Sequence, residues 1–318
     1  MRAAWPILVS FQVMIVDAHV HLVTARMIRN AKRRFDKIRP GLIDRVQREG
    51  RKFINPAFVE FLDNTTTEKL AEMWAGELDR NKIDHAIFLP VGGELSDLDE
   101  FVALDPGRFS GYVFLANPLS KSSVSVVRRW AKTGFFRGIK LYPCLQMFSI
   151  ADKRVFPLYE AAAELGMPVL IHFGITQAPV ADYRYTNPLD LKLPSKLFPD
   201  TKFIIAHFGA GFFREVLLLG FHSENIYVDT SGTNNWRLYT PEAPSLARIF
   251  KRTLDVYGAE KILFGTDSAL NEKTGYRTFV LKEQRKAMAD LKLKKKQRDM
   301  IMGGNAARLF GLRGGTAG

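Results

Sequence analysis

The sequence predicts an α/β fold, a single (β/α)8 TIM barrel, and three observations carry that prediction. Eight short, apolar, β-branched runs recur along the chain, at 14–20, 85–91, 110–116, 137–142, 168–173, 202–207, 226–230 and 261–266. Stretches of helical periodicity separate most of them, the signature of βα units. The chain has 318 residues, room for the roughly 250 that such a barrel commonly needs and for an insertion. Runs that are apolar almost throughout are buried on both faces, as in parallel sheets. A doubly wound sheet is the competing layout, but no Gly-rich dinucleotide turn follows the first run.

The segment before the first strand, Met1 to Val13, begins with Arg2 and is apolar through Trp5, Ile7, Leu8, Val9 and Phe11. It faintly resembles a secretory leader, but it lacks a small-residue cleavage site and runs straight into Met14-Ile15-Val16-Asp17. It reads as an upstream extension, 1–13, with Met14 as the start of a domain over 14–312 and a tail at 313–318. Residues 23–68 exceed an ordinary strand-to-helix loop and read as a helical insertion after the first strand, carrying the basic run Ala31-Lys32-Arg33-Arg34. Loops after barrel strands lie at the catalytic face, so a lid or a homodimer element is expected there. Helical periodicity spans 124–133, 156–165 up to the stop at Gly166, and 246–257 up to Gly258. A second basic run, Lys292 to Arg298, belongs to a C-terminal helix ahead of Gly303-Gly304-Asn305.

Composition narrows the partners. Hydrophobic residues make up 47% of the chain, enough for a sizeable core and too many for a disordered one. The lone Cys144 excludes an internal disulfide framework and fits a reducing cytoplasm. No apolar run reaches the ~18 residues of a membrane span. Lys and Arg exceed Asp and Glu by 46 to 33, a net charge of +13, which by itself suggests an acidic partner. The charge concentrates in 26–52, at Arg128-Arg129 and in 292–298, on expected outer helices and without interleaved stacking aromatics. Nucleic acid is therefore not expected, and a small anionic substrate is.

Chemistry concentrates at strand ends. Four of the six histidines fall there: His19 and His21 on the first strand, His172 on the fifth and His207 on the sixth. The spacing of two puts His19 and His21 on one face. Lys140 ends the fourth strand and Asp267 follows the eighth. Singly, each has a bland reading: a satisfied polar histidine, an Asp capping a turn, a lysine reaching out to solvent. Jointly they converge on the mouth where barrel enzymes keep their catalytic groups, and imidazoles with a carboxylate suit a divalent transition metal, zinc above all.

These residues resemble the amidohydrolase superfamily, in particular its amidohydrolase-related branch of metal-dependent hydrolases and decarboxylases. The resemblance is carried by Asp17-Ala18-His19-Val20-His21, Gly138-Ile139-Lys140-Leu141-Tyr142-Pro143, Ile171-His172, Ile205-Ala206-His207-Phe208-Gly209, Gly265-Thr266-Asp267 and the closing Gly304-Asn305-Ala306-Ala307-Arg308-Leu309-Phe310. It implies that His19, His21 and Asp267 hold a metal, with His172 a further ligand and His207 beside the activated water. In the two-metal variant Lys140 is carboxylated and bridges the ions, with His172 and His207 on the second; one ion is the favoured reading. Asp267 would then take the proton of the attacking water, and His207 would stabilise the developing oxyanion. The expected activity is hydrolysis of a C–N, C–O or lactone bond in a small substrate. The alternative is non-oxidative decarboxylation of an aromatic or unsaturated acid. A metal-dependent deoxyribonuclease is a distant third, because the fourth strand, Arg137-Gly138-Ile139-Lys140, lacks the carboxylate that such enzymes carry.

Polar groups in the loops after strands five, seven and eight complete the expectations. An arginine among aromatics suits a carboxylate substrate, which nominates Arg184, Tyr185, Arg237 and Tyr276. Asp229 receives no catalytic role, Cys144 reads as a buried inert thiol, and His85 and His222 lie away from the mouth.

Overall fold

The computed structural model describes residues 14–41, 44–45, 55–176, 178–269 and 275–312. The extension 1–13, the tail 313–318, part of the insertion and residues 270–274 of the loop after the eighth run, with the polar Asn271, lie outside the described residues. Each of the eight apolar runs overlaps a strand: β1 (Val16–Leu22), β2 (His85–Pro90), β3 (Phe109–Phe114), β4 (Phe136–Leu141), β5 (Val169–Ile171), β6 (Phe203–Ile205), β7 (Ile226–Asp229) and β8 (Ile262–Leu263). A ninth short strand, β9 (Ser268–Ala269), follows β8 directly. Strand order is β8-β7-β6-β5-β4-β3-β2-β1-β9, and every pairing is parallel.

β8 and β9 are two halves of one barrel strand. β8 pairs with β7, Val228 against Ile262, and β9 pairs with β1, Val20 against Ser268. Between them the Ala18 N–H donates to the Phe264 carbonyl (3.0 Å) and the Asp267 N–H to the His19 carbonyl (2.8 Å). The barrel is thereby closed at a seam where the last strand breaks, and Asp267 stands in the break with φ 58.

Two apolar clusters divide the core. The inner one fills the lumen with Val16, Ala18, Ile87, Tyr112, Leu170 and Ile204 and is plugged from below by Phe310. The outer one packs sheet against helices, with Phe88, Phe101, Phe109, Tyr159, Phe203 and Phe250 prominent. A register shift in β1 between Asp17 and Val20 re-aims the strand. Before it, Val16 and Ala18 face the lumen; after it, Val20 and Leu22 face the helices. His19 and His21 are thereby turned to the mouth.

The insertion holds α1 (Ala25–Ile38) and α2 (Pro56–Asp63) and ends where α3 (Thr67–Asn81) begins as the first barrel helix. Thr24 caps α1 by accepting from the Met27 N–H. Arg26 pairs with Asp97, the Asn30 amide donates to Glu94, and a Cβ at Gly92 would lie 2.6 Å from the Met27 carbonyl oxygen. These contacts pin α1 against the segment after β2.

The remaining outer layer is α4 (Leu95–Ala103), α5 (Ser123–Ala131), α6 (Phe156–Glu164), α7 (Lys192–Leu197), α8 (Phe213–Gly220), α9 (Leu246–Tyr257) and α10 (Thr278–Asp290). The basic C-terminal run is not one helix. Lys295–Asp299 is α-helical, Met300–Gly304 widens to a π-turn, and Asn305–Leu309 resumes. The widening brings Gly303 so close to β1 that a Cβ there would sit 1.8 Å from the Met14 carbonyl oxygen. Several of the basic residues sit in exposed pairs such as Lys251–Asp255, Lys286–Asp290 and Lys295–Asp299, each worth about 0–1 kcal/mol. Cys144 is buried in the turn after β4, and burial pushes its thiol up to about 12. No helix among the described residues is long and apolar enough to cross a membrane.

Candidate metal centre

His19 is fully buried, and its Nδ1 lies 2.7 Å from Asp229 Oδ2 at the end of β7. A carboxylate only accepts, so the proton sits on Nδ1 and Nε2 keeps its lone pair. That Nε2 is buried with no hydrogen-bond partner and points at Asp267 Oδ1, 3.6 Å away. His21 Nε2 reaches the same oxygen at 2.9 Å. One donor atom from each of His19, His21 and Asp267 falls within 4.8 Å of the others. A ligand histidine oriented by a carboxylate behind it is the usual support of such a centre.

Electrostatics favour an ion here. Burial lowers His19 to about 3, leaving it neutral and able to ligate. Burial alone would raise Asp267, but the His21 hydrogen bond and the surrounding imidazoles hold its carboxyl well below the usual carboxylate range. Its second oxygen accepts from Arg277 Nη1 at 2.7 Å. The result is an ionised carboxylate, a neutral His19 and a second imidazole, that of His21, around an orphaned buried nitrogen, a donor set that fits a divalent transition metal.

Asp229 is the hub behind this set. Its carboxylate accepts from the His19 ring, from the His207 N–H (3.0 Å) and from the Ser231 N–H (2.8 Å). Burial would raise it, yet the attraction and hydrogen bond of His19 pull it well below the usual range. A second triad of donor atoms, on His19, His207 and Asp229, also converges, but these atoms are spent on one another and on Ser231. Ser231 Oγ donates its one proton to Asp229 Oδ1, so it accepts from His207 Nδ1, 2.8 Å away. The His207 nitrogen left for the mouth is Nε2, as a lone pair.

His207 sits just past β6 with φ 57, a left-handed backbone that bulky residues seldom adopt and that clusters at functional sites. Its ring is 4.7 Å from that of His19 and 5.0 Å from that of His172. Gly232, at φ +100, lies behind it; a Cβ there would come 3.3 Å from His207 Nδ1. His172 follows β5, donates from Nε2 to the Ile175 carbonyl (3.2 Å) and lies against Tyr142. It lines the mouth, but neither of its nitrogens belongs to a donor cluster. Lys140, at the end of β4, is 3% exposed. Its Nζ has no hydrogen-bond partner and stands 5.4 Å from the Tyr142 ring centroid. Burial lowers it to about 8.

Four expected substrate-binding residues are placed elsewhere. The Arg184 side chain is 80% exposed and paired with Asp182, and Tyr185 lies beneath that guanidinium. Arg237 spends its donors on the Asn234 and Pro244 carbonyls of its own loop. Tyr276 is buried and donates to Asp17 Oδ2 at 2.7 Å. Arg184 and Arg237 are satisfied locally, where loop polar atoms bond most easily, whereas Tyr276 is drawn across the barrel seam to β1. Asp17 also accepts from the Thr266 N–H and hydroxyl. It ties β1 to the break in the last strand and so sets Asp267 beside the histidines.

The mouth is a cavity of about 480 Å³ lined by His19, His21, Lys140, His172, His207 and Asp267, among others. Sequence reasoning missed Asp229, Ser231 and Arg277 as parts of this centre. Asp229 did carry a signal, since it ends a strand like the ligand-type residues; Arg277 carried none beyond its place in the loop after β8.

Comparisons with known proteins show the same fold. The chain is similar in structure to 5-carboxyvanillate decarboxylase from Sphingomonas paucimobilis, with 16% identity, TM-score 0.67, and coverage of 95% of this chain and 100% of that one. It is similar to a dihydroxybenzoic acid decarboxylase from a Polaromonas species, solved with bound manganese and the inhibitor 2-nitroresorcinol: 16% identity, TM-score 0.64, coverage 95% and 98%. It is also similar to 4-oxalomesaconate hydratase from Rhodopseudomonas palustris: 17% identity, TM-score 0.61, coverage 94% and 96%. The amidohydrolase family model matches residues 16–312. With that match over nearly the whole barrel, the chain belongs to the amidohydrolase family and is a metal-dependent enzyme.

Proposed function

We propose that the protein is a hydrolase that uses one divalent ion, zinc in the first instance, to cleave a C–N, C–O or lactone bond in a small anionic substrate in the cytoplasm. The observation that carries this reading is His19 Nε2, partnerless and buried, with its proton fixed on the other nitrogen by Asp229. His19, His21 and Asp267 would hold the ion; His172, whose Nε2 is spent on the Ile175 carbonyl, would have to join them through Nδ1. When bound, the ion supplies Lewis acidity that polarises an oxygen of water or substrate.

The chain's own residues do the rest. Arg277 fixes the second oxygen of Asp267, leaving Oδ1 to accept a proton at the centre and return it to the leaving group. His207, anchored through Ser231, presents Nε2 to the same space. As a lone pair it would take a proton from the nucleophile; once protonated, it would donate to the developing oxyanion. The roles assigned to Asp267 and His207 thus become a shared acid–base task.

A second reading, non-oxidative decarboxylation of an aromatic or unsaturated acid, is favoured by one observation: beside the donor set lies a second cavity with largely apolar walls. Two of the similar solved structures are decarboxylases by name. One experiment separates the readings. The protein is loaded with zinc or manganese, its metal content is measured, and CO2 release is followed against ester, lactone and amide hydrolysis over a panel of carboxylated substrates. Failure to take up or respond to any divalent ion would refute both.

A further inference from the structure

The second cavity, of about 320 Å³, shares His21, Val91, Lys140 and Tyr142 with the metal mouth and is roofed by α1 of the insertion. Its walls are apolar, with Ile28, Phe58 and Phe114 typical, and no Asp or Glu is found among the described residues that line it. Two cations nevertheless point into it. Lys140 Nζ, buried and without a hydrogen-bond partner, stands where the cavity meets the mouth. Arg34 comes down from α1, half-buried, with its Cζ 5.6 Å from the Phe114 ring centroid. Among the described residues it makes no hydrogen bond or ion pair.

Leaving a charge desolvated and unpaired is costly, and protein interiors normally pair it. Two cations left unpaired among the described residues, in one apolar chamber, are therefore unfinished contacts, and what finishes them carries negative charge. The apolar walls fit a flat hydrocarbon body. A planar guanidinium already stacked on an aromatic ring is suited to bidentate contact with a carboxylate.

We propose that this chamber holds the body of the substrate, with Lys140 as a free ammonium gripping an anionic oxygen next to the metal centre and Arg34 gripping a second, remote carboxylate. The substrate class is a planar, apolar-bodied acid with two anionic groups. The proposal rests on the metal-centred reading above and deepens it, by making Arg34 a specificity determinant and Lys140 a substrate contact in place of a carboxylated metal bridge.

The test is calorimetric binding of three stable probes to the metal-loaded full chain: benzoate, benzene-1,3-dicarboxylate and benzene-1,4-dicarboxylate. One dicarboxylate is expected to bind about tenfold or more tighter than benzoate, the size of one charge-assisted contact. Arg34→Gln should erase that preference and leave benzoate binding unchanged, which also serves as the check that the variant is folded. Lys140→Met should weaken all three probes by about tenfold, with partial recovery in Lys140→Arg. A wild-type protein that does not distinguish the probes, or an R34Q protein that still prefers a dicarboxylate, overturns the chamber. A carbamate carbon resonance in protein equilibrated with 13C-bicarbonate, lost in Lys140→Met and accompanied by two ions per chain, overturns the free ammonium. A protein that binds no divalent ion yet keeps the dicarboxylate preference upholds the chamber and sinks the metal-centred reading alone.

Discussion

Asp229→Asn tests the carboxylate–histidine support directly. In the wild type Asp229 Oδ2 accepts from His19 Nδ1 at 2.7 Å, while Oδ1 takes the Ser231 and His207 N–H groups. The asparagine carbonyl can keep the backbone contacts in place of Oδ1, which leaves its NH2 facing His19 Nδ1. An NH2 group only donates, so His19 must move its proton to Nε2 or swing away, and either change removes the lone pair aimed at Asp267. Loss of such an orienting partner typically weakens metal binding by about 10–100-fold, or roughly 1.4–2.7 kcal/mol. The assay is competition with a chelator of known affinity, followed by metal analysis and a thermal melt without metal. A D229N protein that is folded and binds metal as tightly as the wild type would refute the view that Asp229 fixes the His19 tautomer.

Three further outcomes are expected. His207→Asn should keep metal content near that of the wild type and lower turnover by about 10²–10⁴, the usual worth of a general acid–base group; loss of metal instead would make His207 a ligand. His85 is buried far from the mouth, donates from Nδ1 to Gly107 and accepts at Nε2 from Ser110, and burial lowers it to about 4. A buried neutral histidine binds fewer protons than the unfolded chain. Its contribution is therefore intact above the unfolded value of 6.5 and is lost as pH falls from there to about 4, about 3 kcal/mol in all; melting curves of His85→Gln should show a correspondingly shallower acid slope over that window. Gly303→Ala places a Cβ on the Met14 carbonyl and should cost about 1–3 kcal/mol in denaturant unfolding; an unchanged midpoint would mean that the π-turn gives way freely.

The barrel was legible because its strands are continuous apolar runs and its helix stops are glycines such as Gly166 and Gly258, both at positive φ. The histidines and Asp267 were legible as strand-end residues of one chemical type. What escaped was everything set by closure. The shift in β1 that turns His19 and His21 to the mouth has no pattern of its own. The break between β8 and β9 interrupts a run that reads as one strand over 261–266. Arg184 and Arg237 had the right chemistry in the right loops, but whether a polar side chain faces a substrate or its own loop is decided by local partners that a one-dimensional string does not rank; Tyr276 is taken by Asp17, 259 positions away. Arg34 shows the converse, one member of a charge run on a helix that appears solvated in sequence yet enters a cavity.

The seam between β1 and the last strand also bears on the order in which the molecule is made. His21 and Asp267 are 246 positions apart, and Asp17 meets Thr266 across 249. Contacts of such separation form late, because most of the intervening chain must be in place first. The donor set straddles that join, so an ion captured there binds only a finished barrel and stabilises it in proportion to its concentration. Metal uptake would then report completion of folding. A chelator, in turn, should act first on the joint between the two ends of the domain, registering as faster amide exchange in β1 and β9 before any change in β4 or β5.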